Sequence, residues 1–156
     1  MIYVKEKGDS EQDRKIITIK YHVEGLEPVK QAHDSEWCDL RSAETVELKK
    51  GDFKLIDLGV SIALPEGFEA ILAPRSSTFK NWGIIQTNGI GVIDYLYRGN
   101  EDRWRMPVYA TRDIIINKND RICQFRIQEC QPTLYFSETN NMEDESRGGL
   151  GSTGVN

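Results

Sequence analysis

At 156 residues the chain has the length of one domain, enough to build a core without disulfide staples. A net charge of -5 excludes a bulk nucleic-acid binder, which needs a basic face; it leaves room for a nucleotide site, where a few Arg and a divalent metal neutralise phosphates. Three unpatterned cysteines, no apolar h-region after Met1 and no apolar run of spanning length point to a soluble, cytoplasmic protein with reduced thiols and no membrane partner.

Glu6 to Lys15 reads as a loop, and Ile16, Ile17 and Ile19 as a first strand. Tyr21 to Glu36 is irregular; its two histidines, His22 and His33, have no cysteine pair nearby and read as solvated loop residues rather than zinc ligands. Asp39, between Cys38 and Leu40, has the plain reading of a turn or cap residue. Thr45 to Leu48 alternates, and Lys50-Gly51-Asp52 turns. Leu58, Val60, Ile62 and Leu64 alternate with small residues as a period-two strand, and Phe68 to Ala73 forms another that Pro74 ends.

Next comes Arg75-Ser76-Ser77-Thr78. The spacing predicts a short helix capped by Ser76 and stopped at Gly83. A guanidinium and hydroxyls at a helix start suit an anion; a plain N-cap with a surface Arg explains the same residues. Ile84 to Thr87 is a short strand, and Asn88-Gly89 is a strong hairpin signal. It leads into Gly91-Val92-Ile93-Asp94-Tyr95-Leu96-Tyr97-Arg98-Gly99, a Gly-bounded apolar run ending in one acid, a common way to hold a general base. Arg103 to Ala110, Ile114 to Ile116, Arg121 to Ile127 and Leu134 to Phe136 read as further strands. Ser137 to Ser146 is an acidic linker, followed by Arg147-Gly148-Gly149-Leu150-Gly151-Ser152-Thr153-Gly154, whose Arg, hydroxyls and free backbone N–H groups suit phosphate oxygens. About ten short strands with frequent turns indicate an all-β sandwich or jelly roll with very little helix.

Five segments in this order resemble the trimeric dUTPases, in the variant of Bacillus-type bacteria and their phages: Cys38-Asp39-Leu40, Pro74 to Ser77, Asn88 to Gly99, Asp120 to Gln124 and Arg147 to Gly154. Each is weak alone; the set, spanning roughly residues 35–154, is specific. The resemblance implies a jelly-roll body over 1–136, a linker and Gly-rich arm over 137–156 closing on an active site, and a homotrimer with sites between subunits. It implies Mg²⁺-dependent hydrolysis of dUTP to dUMP and pyrophosphate, which keeps uracil out of DNA and supplies dUMP for thymidylate synthesis.

By that resemblance Asp94 activates the water that attacks the α-phosphorus. Asn88 and the backbone at Gly91, Val92 and Ile93 read uracil, and Tyr97 packs on the deoxyribose. Arg75, Ser76, Ser77 and Gln124 hold the phosphates, and Arg147, Ser152 and Thr153 close on the γ-phosphate. Asp39 meets Mg²⁺ through its water shell, as suits an ion that dehydrates reluctantly. Asp120 and Arg121 brace a strand turn. Two departures stand out. The arm is two residues shorter than the commoner form and has Leu150 where a uracil-stacking Phe is usual, so Phe79, Trp82, Tyr95 or Trp104 supplies the lid or stacking is weaker. Cys123 replaces the usual Ala, and Asn119 the usual Gly. The rivals are a dCTP deaminase-like enzyme, which shares the fold, and a regulatory contact with a host protein in addition to catalysis.

Overall fold

The computed structural model describes residues 15–31 and 35–149. Its elements are β1 (Thr18–Tyr21), β2 (Cys38–Arg41), β3 (Val46–Leu48), β4 (Phe53–Asp57), β5 (Val60–Ala63), β6 (Phe68–Pro74), α1 (Thr78–Trp82), β7 (Ile84–Gln86), β8 (Gly91–Ile93), β9 (Arg105–Ala110), β10 (Ile114–Ile116) and β11 (Arg121–Glu129). The all-β expectation holds. The strands form a four-stranded sheet in the order β2-β11-β6-β8, a three-stranded sheet β4-β9-β7, and the pairs β1-β5 and β10-β3. All pairings are antiparallel.

Alternation places the core. In β9, Met106, Val108 and Ala110 are fully buried while Arg105 and Tyr109 face out. Leu40, Ile56, Leu72, Ile84 and Ile122 join them from five other strands. Trp104 lies at the centre, its ring edge-on to Phe125 at 5.2 Å and 82°. An edge-to-face pair of this kind adds about 0.5–1.5 kcal/mol beyond its area.

Several expectations change. Leu58 to Leu64 is not one strand: Gly59 sits at φ +68°, in the left-handed region, so β4 ends at Asp57 and β5 starts at Val60. All four alternating residues are still buried. Phe53–Asp57 is a strand that pattern reading passes over, because Phe53 and Leu55 alternate as exposed apolar residues. Asp39 lies inside β2, not in a turn. The helix cap is Ser77, not Ser76, with no side-chain bond; Gly83 ends the helix at φ +60° as expected. His22 is half-buried, with Nε2 2.7 Å from Ser61 Oγ, and is no solvated loop residue; His33 lies outside the described residues. Leu134 to Phe136 forms no strand: all three are exposed, with no partner strand among the described residues, and the last ladder there ends at Glu129. Asn119 has φ +73°, which a short amide side chain tolerates, and its carboxamide ties Glu27 N–H and the Gly25 carbonyl to the turn.

Candidate active site

The Asn88-Gly89 turn forms, but the hairpin expected from it does not: β7 pairs with β9 in the three-stranded sheet and β8 with β6 in the four-stranded one, so the turn carries the chain from one sheet to the other. Gly89 takes φ +70° and its N–H donates to Gln86 O at 3.2 Å. β8 then pairs with β6, Gly91 opposite Leu72 and Ile93 opposite Ala70. A Cβ on Gly91 would lie 3.1 Å from Leu72 Cβ, so glycine allows the close approach. Beside this turn and β8 is a cavity of about 430 Å³. Asn88, Gly91, Val92, Ile93, Asp94 and Tyr97, six of the sequence-predicted residues, line it. Trp104 lines it as well; being buried in the core, it is wall rather than lid.

Asp94 follows β8 directly and is exposed. Its Oδ1 accepts the Leu96 N–H at 2.7 Å, and its carbonyl accepts the Tyr97 N–H at 3.0 Å. This turn fixes the direction of the carboxylate and brings Tyr97 round to the same cavity. Tyr97 is then pinned: its hydroxyl donates to Arg103 O at 3.1 Å. The Arg103 guanidinium is held by the Asp57 carboxylate, which also accepts the Gly59 N–H at 2.8 Å. Sequence reading misses this Asp57–Arg103 brace, which joins residues 46 apart.

A second cluster stands where β6 ends. Arg75 Nε lies 2.8 Å from Asp39 Oδ1, and Arg121 Nη1 3.2 Å from Asp39 Oδ2. Arg75 also donates to Arg121 O at 3.3 Å. Gln124, opposite Asp39 and Ala73 in the ladders, donates to Pro74 O at 3.1 Å. Ser76 is exposed and Ser77 half-buried on the loop. Thr78 is fully buried and pins that loop: its Oγ1 accepts the Arg75 N–H at 2.8 Å and donates to Ile122 O at 2.9 Å. Below lies Cys123, whose thiol is pushed well up by burial and by Asp39, with Arg75 opposing, so it is a neutral filler. Asp120 accepts the Asn117 N–H at 2.8 Å and braces the turn into β11.

The two clusters are set apart along β6: Arg75 lies three residues beyond Leu72, which lines the cavity opposite Gly91, and five beyond Ala70, opposite Ile93, roughly 10 and 17 Å along an extended strand. Asp39, Arg75, Ser76, Ser77, Gln124 and Arg147 do not line the cavity. Phe79, Trp82 and Tyr95 do not line it either, and the Tyr95 ring is faced by Arg98 at 4.7 Å. Arg147 lies in an exposed stretch, while Leu150, Ser152 and Thr153 lie outside the described residues.

The fold is thus an all-β body with a ligand-sized cavity beside the turn between two sheets, and a separate loop whose guanidinium and hydroxyl groups suit an anion. The dUTPase family model matches residues 29–154, and the chain belongs to that family. It is 51% identical over 139 residues to the SPbeta prophage-derived deoxyuridine 5'-triphosphate nucleotidohydrolase of Bacillus subtilis, covering 89% of this chain and 98% of that protein. It is 36% identical over 140 residues to the deoxyuridine 5'-triphosphate nucleotidohydrolase of Maricaulis maris, with 86% and 91% covered. In fold it is similar to the dUTPase of Staphylococcus bacteriophage 80alpha, with a TM-score of 0.75 at 20% identity, covering 91% of this chain and all of that one.

Proposed function

We propose that this chain hydrolyses dUTP to dUMP and pyrophosphate. The observation that carries the reading is the convergence of Asn88, Gly91, Asp94 and Tyr97 on one cavity, in a chain of the dUTPase family. Asn88 and the β8 backbone at Gly91, Val92 and Ile93 pair with the uracil edge, so cytosine leaves buried polar groups unmatched. The Tyr97 ring, held by its hydroxyl, packs on the deoxyribose and leaves no room for a 2′-hydroxyl. Asp94 takes a proton from a water and aims it at the α-phosphorus, and pyrophosphate leaves in line. Arg75, Ser76, Ser77 and Gln124 hold the phosphate chain. Arg147, Ser152 and Thr153, on the arm over 137–156 that follows the 1–136 body, close over it.

Mg²⁺ fits this site only as an ion that arrives with the phosphates. Among the described residues no three His, Cys, Asp or Glu side chains gather to cage a metal, and both Asp39 oxygens are already paired with guanidinium groups. Asp39 would hold the ion through its water shell, and Mg²⁺ would neutralise charge on the phosphates. A phage phi11 dUTPase of similar fold, at TM-score 0.70, is described with a coordinated structural Mg(II) ion.

The separation of the two clusters supports a homotrimer in which one subunit's Asn88–Tyr97 segment faces another's Arg75 loop. So does the outer face of β4-β9-β7, where Phe53, Leu55, Ile85 and Tyr109 are exposed together. Three free cysteines suit a reducing, cytoplasmic setting, and among the described residues no helix is long and apolar enough to cross a membrane. The test is pyrophosphate release from dUTP, dCTP, dTTP and UTP with Mg²⁺. Release from dUTP alone is expected; ammonia released from dCTP would establish the deaminase reading instead.

A further inference from the structure

Gln86 ends the edge strand β7 yet is only 4% exposed, and the reaction as proposed makes no use of it. A buried carboxamide is costly unless its groups are matched. Its Nε2 donates to Leu72 O at 3.2 Å and to Asn88 Oδ1 at 2.9 Å, while its Oε1 has no partner. Amide orientations are normally ambiguous, because oxygen and nitrogen have the same shape. Here the ambiguity is broken by chemistry. The backbone carbonyl of Leu72 can only accept, so the Gln86 atom facing it must be the nitrogen. That same nitrogen can only donate, so the Asn88 atom facing it must be the oxygen. The polarity of a strand carbonyl in β6 thus passes through Gln86 to Asn88. What remains free on Asn88 is its Nδ2, a donor, close to Gly91, where a Cβ would lie 3.7 Å from it. Asn88 and Gly91 both line the cavity.

We infer that Gln86 is a specificity-positioning residue: it locks the Asn88 carboxamide with its donor face toward the base. This rests on the proposed reading of the cavity as a base site. A donor there matches the O4 carbonyl of uracil. It opposes the 4-amino group of cytosine, itself a donor. Without Gln86 the Asn88 carboxamide is free to turn, and a turned carboxamide presents an acceptor that suits cytosine. The β8 backbone supplies the same groups in either case. Part of the choice between the two bases therefore lies in a buried residue that touches neither.

The experiment measures binding of dUMP and dCMP by calorimetry, and turnover of dUTP and dCTP, for the wild type, Gln86→Leu and Asn88→Asp. Gln86→Leu should lower the preference for uracil over cytosine by about tenfold or more, the scale of one lost buried donor–acceptor match. Its kcat for dUTP should fall far less than kcat/KM, because Asp94 is untouched. Asn88→Asp keeps the buried Gln86, whose nitrogen still holds one carboxylate oxygen. Its other oxygen now accepts, so the preference should swing toward cytosine. This second variant serves even if Gln86→Leu fails to fold, which a thermal melt shows. An equal loss for both bases in Gln86→Leu, or no swing in Asn88→Asp, overturns the inference while leaving dUTP hydrolysis intact. A wild type that prefers dUMP over dCMP and loses that preference in Gln86→Leu, yet releases no pyrophosphate from dUTP, keeps the inference and sinks the proposed reaction. A wild type that binds neither nucleotide removes both.

Discussion

Asp94 is exposed at the end of a three-residue strand, yet its carboxylate is not free to wander. The Leu96 N–H occupies Oδ1, leaving Oδ2 for a water. Asp94→Asn keeps the shape and an acceptor toward Leu96 but removes the base. Pyrophosphate release should fall by about 10²–10⁴, the usual contribution of a positioned general base. dUTP should still bind, as calorimetry would show; retained turnover would take the role away from Asp94. Residues that meet a ligand are legible in sequence because their chemistry is rare where it stands: a lone acid after Val92-Ile93, an amide before Gly89. Residues that position them are not. Thr78 looks like any helix-start threonine, Gln86 like any strand polar residue, and Asp57 like a strand end. Their meaning comes from partners at Ile122, Leu72 and Arg103, which local pattern does not bring together.

The elements divide in the same way. The turn between β7 and β8 follows from Asn-Gly chemistry, but its strands go to different sheets, because β9 and β6 are the partners that local pattern does not reveal. β9 follows from strict alternation. β4 escapes because its outward residues are apolar, and Leu134 to Phe136 misleads because β-prone residues imply a strand without implying a partner. The Arg75 loop is the element whose rigidity is easiest to test. It depends on the Thr78 hydroxyl, which serves Arg75 N–H and Ile122 O from a fully buried position. Thr78→Val keeps the volume and leaves both backbone groups unmatched, at about 1–3 kcal/mol each. For a chain of this size that lowers Tm by roughly 2–4 °C per kcal/mol. The loosened loop should also raise KM for dUTP more than it lowers kcat. An unchanged melt and KM would show that the loop holds its shape without Thr78.

At the scale of the whole molecule, the single chain sets the cavity beside β8 apart from the Arg75 cluster. Among its exposed apolar residues, Phe53, Tyr109 and Ile85 form a row straight across β4, β9 and β7. Leu55 belongs both to that face and to the cavity wall, so whatever covers the face also borders the cavity. In the proposed homotrimer, a closed ring of identical subunits, the Asn88–Tyr97 segment of one subunit meets the phosphate loop of the next. Mixing then separates a shared site from a self-contained one. Asp94→Asn subunits have an intact Arg75 loop, and Arg75→Ala subunits an intact Asn88–Tyr97 segment. Each alone should be nearly inactive. Unfolded together and refolded at equal amounts, they should place both intact halves in about a quarter of the interfaces and regain activity in that proportion. If each site lay within one chain, no mixture would recover any. Phe53→Glu with Tyr109→Glu extends the test. The pair faces outward, so the subunit should fold, but sedimentation should show monomers that release no pyrophosphate. Active monomers would mean that one chain closes the gap between Asp94 and Arg75 by itself.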